Sequence, residues 1–231
     1  MPIRIGILEI EQSLTLHEIE RLRRFLNMLG PQIQKSRQDW ERKIKQQASQ
    51  IQDSEERDEF LDFLSDEYWE FEEYERILRN SFLVMVYAFL EARLGWFCST
   101  MHKRHKLPIL WSDLHGEDAL DRARLYLVKL GGLKFPVDSR EWQNIRHYEK
   151  LRHYIVHRAG RVRKDDKDTW KFAKEKRLVT ADGSINDNLI LLPSEFCEEV
   201  LKDVSGFLSN LHQELSQALN DSESHNRQTG A

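Results

Sequence analysis

Apolar residues recur at helical spacing along most of this chain. A first series covers residues 19–29 and is interrupted by a Gly-Pro pair, and apolar positions then become sparse over 32–53, which is typical of a long projecting helix. They become frequent again and lead into a nine-residue apolar run over 82–90. Residues 56–104 are therefore predicted to form one long helix or two nearly collinear ones, with the second half central to the fold.

Three more helices and one hairpin follow. Periodic apolar positions predict helices over about 115–130 and 140–158, and a last one from 194 onward. Residues 178–192 contain two arms on either side of an Asp-Gly pair, a sequence typical of a hairpin turn. The predicted fold class is all-α, an up-and-down bundle of long helices with a small β hairpin near the C-terminus.

The same pattern divides the chain into three parts. Residues 1–54 are predicted to be a strand-like segment followed by a long projecting helical extension, residues 55–217 a helical domain, and the polar residues 218–231 a disordered tail. The nine-residue apolar run is too short to cross a membrane, and the N-terminus lacks the apolar core of a signal peptide. We therefore expect a cytoplasmic protein with no membrane partner.

Composition supports a packed domain in a reducing compartment. The chain has 231 residues, of which 40% are hydrophobic and 32% charged, which excludes a disordered or low-complexity protein. Cys98 and Cys197 are far apart in apolar surroundings, so the sequence has neither a disulfide framework nor a CxxC metal or redox motif.

Charge is distributed unevenly along the chain, although the net charge is only −4. Residues 53–75 hold 12 acidic side chains and one Arg, whereas 140–177 holds 13 Lys or Arg and 6 Asp or Glu. Aromatic side chains are interleaved in the basic segment, and this combination is suited to RNA phosphates and unpaired bases. The candidate RNA-binding residues in it are Arg158, Arg161, Arg163 and Lys164.

The segment IRHYEKLRHYIVHRAG, residues 145–160, carries the candidate catalytic groups. On a helical wheel Arg152 falls within the apolar stripe, and because a guanidinium is rarely buried without a partner, it should meet either a carboxylate or an incoming anion. His157 lies on the last turn and can exchange a proton near neutral pH, while a guanidinium offers a planar fork of donors to phosphate oxygens. Both side chains can therefore converge on one phosphate.

The sequence RHYIVH, from Arg152 to His157, resembles the Arg and His signature of HEPN domains. The upstream segment RILRNSFLVMVYAFLEARLGWFC and the downstream segment LLPSEFCEEVLKDVSGFLSNL are also similar to toxin-like ribonucleases of this family, so the resemblance covers about 55–217. It implies a small helical bundle, usually dimeric, that cleaves RNA with no metal and no other cofactor. It also implies a toxin or defence effector, with RNA, a second copy of the chain and a protein or nucleotidyltransferase antitoxin as partners.

The resemblance implies roles for individual residues. Arg152 would bind and neutralise the scissile phosphate, and His157 would transfer a proton from the 2′-hydroxyl or to the leaving oxygen. His153 occupies the polar position after the arginine and would support them. Attack by the 2′-hydroxyl would give a 2′,3′-cyclic phosphate and a 5′-hydroxyl, and a two-fold dimer would supply both a base and an acid. Independently of the resemblance, Glu91 interrupts the apolar run and is a candidate buried partner for an arginine.

Two other functions remain open. The first is a non-catalytic HEPN module that binds a protein or RNA. The second is a metal-dependent hydrolase in which Glu149, His153 and His157, spaced i, i+4 and i+8, hold a divalent ion, although no HExxH motif accompanies them and no metal is predicted. A purely structural explanation of Arg152 is an ion pair with Glu91 or Glu149.

Overall fold

The chain folds into a bundle of long helices. The computed structural model describes residues 6–116, 118–184 and 186–229. The α-helices are α1 Ile7–Ala48, α2 Ser54–Phe63, α3 Ser65–His105, α4 Ala119–Leu125, α5 Arg140–His157, α6 Lys167–Glu175 and α7 Ser194–Thr229. A 3₁₀ turn covers Trp111–Asp113, and a π-helical turn, Tyr126–Leu130, continues α4. The described residues contain no strand, so the all-α class is confirmed.

Helix α3 is the centre of the core, as the apolar run predicted. It packs against α1, α5 and α7. Its buried apolar residues are Leu78, Phe82, Leu83, Val86, Tyr87, Leu90, Leu94, Phe97, Cys98 and Met101. Side-chain caps fix where the neighbouring helices begin, because Asp53 accepts hydrogen bonds at the start of α2 and Ser139 accepts one at the start of α5. The segment predicted to be one long helix or two nearly collinear ones consists of two helices, α2 and α3, which meet at Leu64.

Helix α1 differs from its prediction, since it continues through Pro31 without a break. Ile19 and Leu26 are buried in the core, so the first half of α1 belongs to the bundle and only its second half extends away from the core. The predicted strand-like start falls largely on residues 1–5, which lie outside the described residues, and α1 begins at Ile7. The domain boundaries at 54/55 and 217/218 stay predictions.

Two C-terminal predictions have different outcomes. The predicted hairpin over 178–192 is not confirmed: its described residues form no strand, and the one isolated bridge there joins Leu189 to Arg161. Two backbone hydrogen bonds do join its arms, from Leu191 N–H to the Leu178 carbonyl at 2.8 Å and from Ala181 N–H to the Asp187 carbonyl at 3.0 Å. The segment predicted to be a disordered tail is helical as far as Thr229.

By length and composition alone, the helical segment Ser54–His105 contains a stretch apolar enough to cross a membrane. Within that segment Phe82, Val86 and Leu90 are packed in the core of the bundle. A core helix of this kind passes the same test as a membrane span, so the location in the cytoplasm stays a prediction.

Candidate functional site

Helix α5 is held on one side by the core and by a buried polar contact. Trp142, Ile145 and Leu151 are among its buried residues. Tyr148 donates a hydrogen bond to the buried carboxylate of Asp203 on α7, with an O–O distance of 2.5 Å. The orientation of α5 is thereby fixed, and its opposite face is available for other contacts.

A polar cavity of about 610 Å³ opens beside that second face. Its walls come from α5, from the start of α4 and from the loop between α5 and α6. The lining residues are Asp118, Arg146, Glu149, Lys150, Arg152, His153, Tyr154, Arg158, Arg163, Asp165 and Asp166. The cavity therefore includes Arg152 and His153, two of the residues predicted to form the site.

Arg152 is half-buried and lacks a partner among the described residues. Its guanidinium carbon lies 5.5 Å from the ring centroid of Tyr87 on α3, a cation–π contact. Its Nε is fully buried without a hydrogen-bond partner, and none of the described residues forms an ion pair with it. Neither Glu91 nor Glu149 forms the ion pair with Arg152 that the purely structural explanation predicts. A half-buried cation of this kind is costly, so an external anion would stabilise it.

Glu91 lies on α3, one turn after Tyr87, and is half-buried. Burial raises the pKa of its carboxyl, and the positive charge of Arg152 opposes that rise. The two side chains thus interact electrostatically, although they form no ion pair. The supporting role of Glu91 stays a prediction.

The two imidazoles are neighbours, but they occupy different places. The ring centroids of His153 and His157 are 4.8 Å apart. His153 lines the cavity, and burial together with the charge of His157 lowers its pKa. His157 is exposed and lies outside the cavity lining. One copy of the chain therefore brings Arg152 and His153 together and leaves His157 at the rim.

The four predicted RNA-binding residues separate into two pairs. Arg158 and Arg163 line the cavity, and Arg163 binds Asp165. Arg161 and Lys164 instead contact the loop at 186–188. Arg161 donates to Asn186 at 3.0 Å, and Lys164 pairs with Asp187 at 2.7 Å. The prediction that Arg161 and Lys164 bind RNA gains no support from this placement, because these two side chains stabilise the loop at 186–188.

Sequence reasoning missed a group of three charged residues in the cavity wall. Nη1 of Arg146 lies 2.9 Å from Oδ2 of Asp118 and 2.9 Å from Oε2 of Glu149. Burial raises the pKa of Glu149 to about 7, and its contact with the Asp118 carboxyl contributes to the rise. Only the i, i+3 spacing of Arg146 and Glu149 was visible in the sequence. Asp118 comes from the N-cap of α4, a contact that no local pattern indicates.

The metal-binding alternative gains no support from the described residues. They contain no group of three or more His, Cys, Asp or Glu side chains placed to hold a metal ion. Glu149, one of the three proposed ligands, pairs with Arg146, and His157 is exposed.

No family model, no curated protein and no solved structure matches this chain. The resemblance to HEPN domains therefore depends on the segment from Arg152 to His157 and on the similar segments upstream and downstream of it.

Proposed function

We propose that this protein is a metal-independent endoribonuclease of the HEPN type in which Arg152 binds the scissile phosphate. The observation that carries the proposal is that the Arg152 side chain lines the cavity and forms neither an ion pair nor a hydrogen bond with any described residue. A planar guanidinium with free donors suits two oxygens of one phosphate group. The stacking contact with Tyr87 holds the guanidinium in place before the anion arrives.

The ion pairs around the cavity favour an anionic ligand over a cationic one. Its acidic residues are already engaged: Asp118 and Glu149 by Arg146, Asp165 by Arg163, and Asp166 by the Tyr154 hydroxyl and the start of α6. Three cations that line the cavity have no ion pair with any described residue, namely Lys150, Arg152 and Arg158. With five cations and four acidic residues in its lining, the cavity has a net charge of +1, which favours an anion such as a phosphodiester over a cation.

The reaction begins with the 2′-hydroxyl of the nucleotide whose phosphate binds Arg152. His157 takes the hydroxyl proton, the 2′-oxygen attacks phosphorus, and Arg152 stabilises the charge that develops on the phosphate oxygens. The products are a 2′,3′-cyclic phosphate and a 5′-hydroxyl. DNA lacks the nucleophile and stays intact.

A second copy of the chain completes this site in the proposal. Val156 lies one turn after Arg152 and is 47% exposed, so a second copy of the chain could cover it. A two-fold dimer covering Val156 would bring the His157 side chains of both copies together at the cavity rims.

The proposal includes the finer features that the sequence predicted. These are the HEPN-like up-and-down topology, the small hairpin over 178–192, the location in the cytoplasm, and the role as a toxin or defence effector controlled by a protein or nucleotidyltransferase antitoxin. The two backbone hydrogen bonds between the arms of 178–192 support the hairpin.

The test uses purified full-length protein, a labelled single-stranded RNA, and EDTA in excess. Wild type should cut the RNA and leave 2′,3′-cyclic ends, and Arg152→Ala and His157→Ala should each lower the rate by about 100-fold or more. Arg140→Ala is the matched control, because Arg140 lies at the other end of the same helix with a side chain 76% exposed, and it should cut like wild type. Cleavage that stops in EDTA, or equal rates for Arg152→Ala and Arg140→Ala, would contradict the proposal.

The second candidate function is an RNA-binding module that does not cleave. It is favoured by one observation, the exposed position of His157 outside the cavity lining. Salt-sensitive RNA binding that depends on Arg152, with no cleavage by wild type at high protein concentration, would establish this second function.

A further inference from the structure

Two carboxyl groups share one guanidinium nitrogen in the wall of the cavity. Asp118 Oδ2 and Glu149 Oε2 each lie 2.9 Å from Arg146 Nη1. Two carboxylates this close repel each other, so one of the pair retains its proton more readily than an isolated acid does.

The surroundings decide which of the two holds the proton. Asp118 accepts a second hydrogen bond, from the backbone N–H of Asp121 at 2.8 Å, which stabilises its anionic form. The Glu149 side chain is only 15% exposed, and its Oε2 is fully buried with no well-directed hydrogen bond among the described residues. Glu149 is therefore the protonated partner.

Glu149 also lies at the right place along α5. It precedes Arg152 by three residues, and His157 follows Arg152 by five. Along the axis of α5, Glu149 therefore lies on the N-terminal side of Arg152 and His157 on its C-terminal side, at the cavity rim. In-line displacement at phosphorus needs a proton acceptor and a proton donor on opposite sides in this way.

We propose that Glu149 is the proton donor to the leaving 5′-oxygen, and that Asp118 and Arg146 are positioning residues that keep its carboxyl group protonated and oriented. This inference rests on the proposed endoribonuclease function. His157 takes the proton of the 2′-hydroxyl, the 2′-oxygen forms a bond to phosphorus, and the bond from phosphorus to the 5′-oxygen breaks. The Glu149 proton passes to that oxygen, which leaves a carboxylate and an imidazolium that exchange protons with water before the next turnover.

Charged and titratable groups from several elements surround Glu149. These groups and the burial of its side chain set its pKa, and so the pH range in which it can donate a proton. Burial raises the pKa of Glu149 to about 7 and the Asp118 carboxyl contributes, whereas the charges of Arg146 and Lys150 lower it. Arg152 and His153 also lie within about one turn of Glu149 on α5, and on α3 Tyr87 interacts electrostatically with Glu149, and Glu91 with Arg152 and Asp118. The donor is present below about pH 7 and is lost as the pH rises through that value, so cleavage should decline on the alkaline side.

The test compares three full-length variants by their pH–rate profiles. Glu149→Gln should lower kcat by about 100-fold to 10,000-fold with little change in KM, and the alkaline decline should disappear. Asp118→Asn should move the alkaline decline to lower pH. Asp121→Asn is the matched control, because it removes a carboxylate that contacts Arg146 at 3.5 Å without touching Glu149, and it should keep the wild-type profile.

A second measurement is independent of cleavage. Carbon-13 NMR of labelled glutamate carboxyls, assigned by comparison with Glu149→Gln, should show one group titrating near neutral pH, and a value near that of a free glutamate would overturn the proposal. If wild type cuts RNA but Glu149→Gln keeps its rate and alkaline decline, or changes only KM, Glu149 is not the donor while the endoribonuclease function stands. If wild type does not cut RNA at all, both proposals fail.

Discussion

Replacing His212 tests how the core responds to acid. His212 lies on α7 with its side chain buried, and its ring meets Phe97 edge-on with a centroid distance of 4.7 Å. Neither ring nitrogen has a hydrogen-bond partner within the described part of the chain. Burial lowers the pKa of His212 to about 4, and the positive charge of Arg93 acts in the same direction.

The expected free-energy change follows from the two states of the imidazole. In the unfolded chain the pKa of a histidine is about 6.5, about 2.5 units above the folded-state pKa of His212. At ~1.36 kcal/mol per unit, protonation of His212 would lower the free energy of unfolding by at most about 3 kcal/mol. Because the folded-state pKa is the lower one, this stability is fully present above pH 6.5 and is lost as the pH falls through 6.5 toward 4. About 2.5 kcal/mol should be gone by pH 4.5, a large share of a typical total of about 5–15 kcal/mol.

The assay is urea unfolding of wild type and His212→Phe at about pH 7.5 and about pH 4.5. Phenylalanine keeps the aromatic contact with Phe97 and cannot take up a proton, so wild type should lose about 2.5 kcal/mol more than the variant between the two pH values. His17→Gln, a change at an exposed histidine of α1, is the control and should follow wild type. Equal pH dependence of wild type and His212→Phe would refute the reasoning.

Three further predictions concern the stability of α5 and the loop after it, and the role of the basic residues of that loop in RNA binding. Tyr148→Phe removes the hydrogen bond to the buried Asp203 carboxylate and should lower the free energy of unfolding by about 1.5–3 kcal/mol in urea titrations. Gly160→Ala should lower it by about 1–2 kcal/mol in the same assay, because Gly160 has φ +79° while an added Cβ would meet only ordinary contacts. Arg158→Ala should weaken RNA binding and reduce the salt dependence of log K by about 0.7, as measured by fluorescence anisotropy, whereas Lys164→Ala, whose ammonium already binds a carboxylate, should leave that slope unchanged.

The helices of the core could be predicted from the sequence because their apolar positions recur at helical spacing and all face the core of the bundle. The prediction of 140–158 agrees closely with α5, Arg140–His157. The Gly-Pro pair was interpreted as a break because proline removes a backbone donor. Pro31 is exposed, however, and α1 is held on both sides of it: Leu26 packs in the core, and Trp40 contacts Tyr68 at 6.2 Å between ring centroids. These tertiary contacts outweigh the local cost of the proline.

The segment 178–192 shows that two apolar arms around an Asp-Gly pair do not by themselves specify a strand ladder. Leu178, Val179, Ile190 and Leu192 are buried in the core, whereas Leu191 is 45% exposed. These apolar positions therefore reflect which side chains cover the end of the bundle. The sequence contains this burial pattern but not the positions of the backbone partners, which a continuous ladder would need.

The candidate site was predictable only where it is local to α5. Arg152 and His153 share one helix, so their spacing could be evaluated directly. The contacts of Arg152 with Tyr87, and of Arg146 with Asp118, depend on how α3 and α4 pack on α5. Sequence reasoning therefore singled out Arg152 and His153, which both line the cavity, and missed the acid pair beside them.

The charge that matters for binding is the charge left after internal pairing. The basic segment 140–177 carries 13 Lys or Arg, but several of them bind acids of this chain, including Arg146, Arg163 and Lys176. The cavity is where cations without an ion pair to the described residues come together, because its acidic residues are taken by other groups. A net charge counted along the sequence includes every paired arginine and lysine equally. In the cavity, Lys150, Arg152 and Arg158 have no ion pair with the described residues, which is why a net charge of −4 for the whole chain does not by itself argue against an anionic ligand.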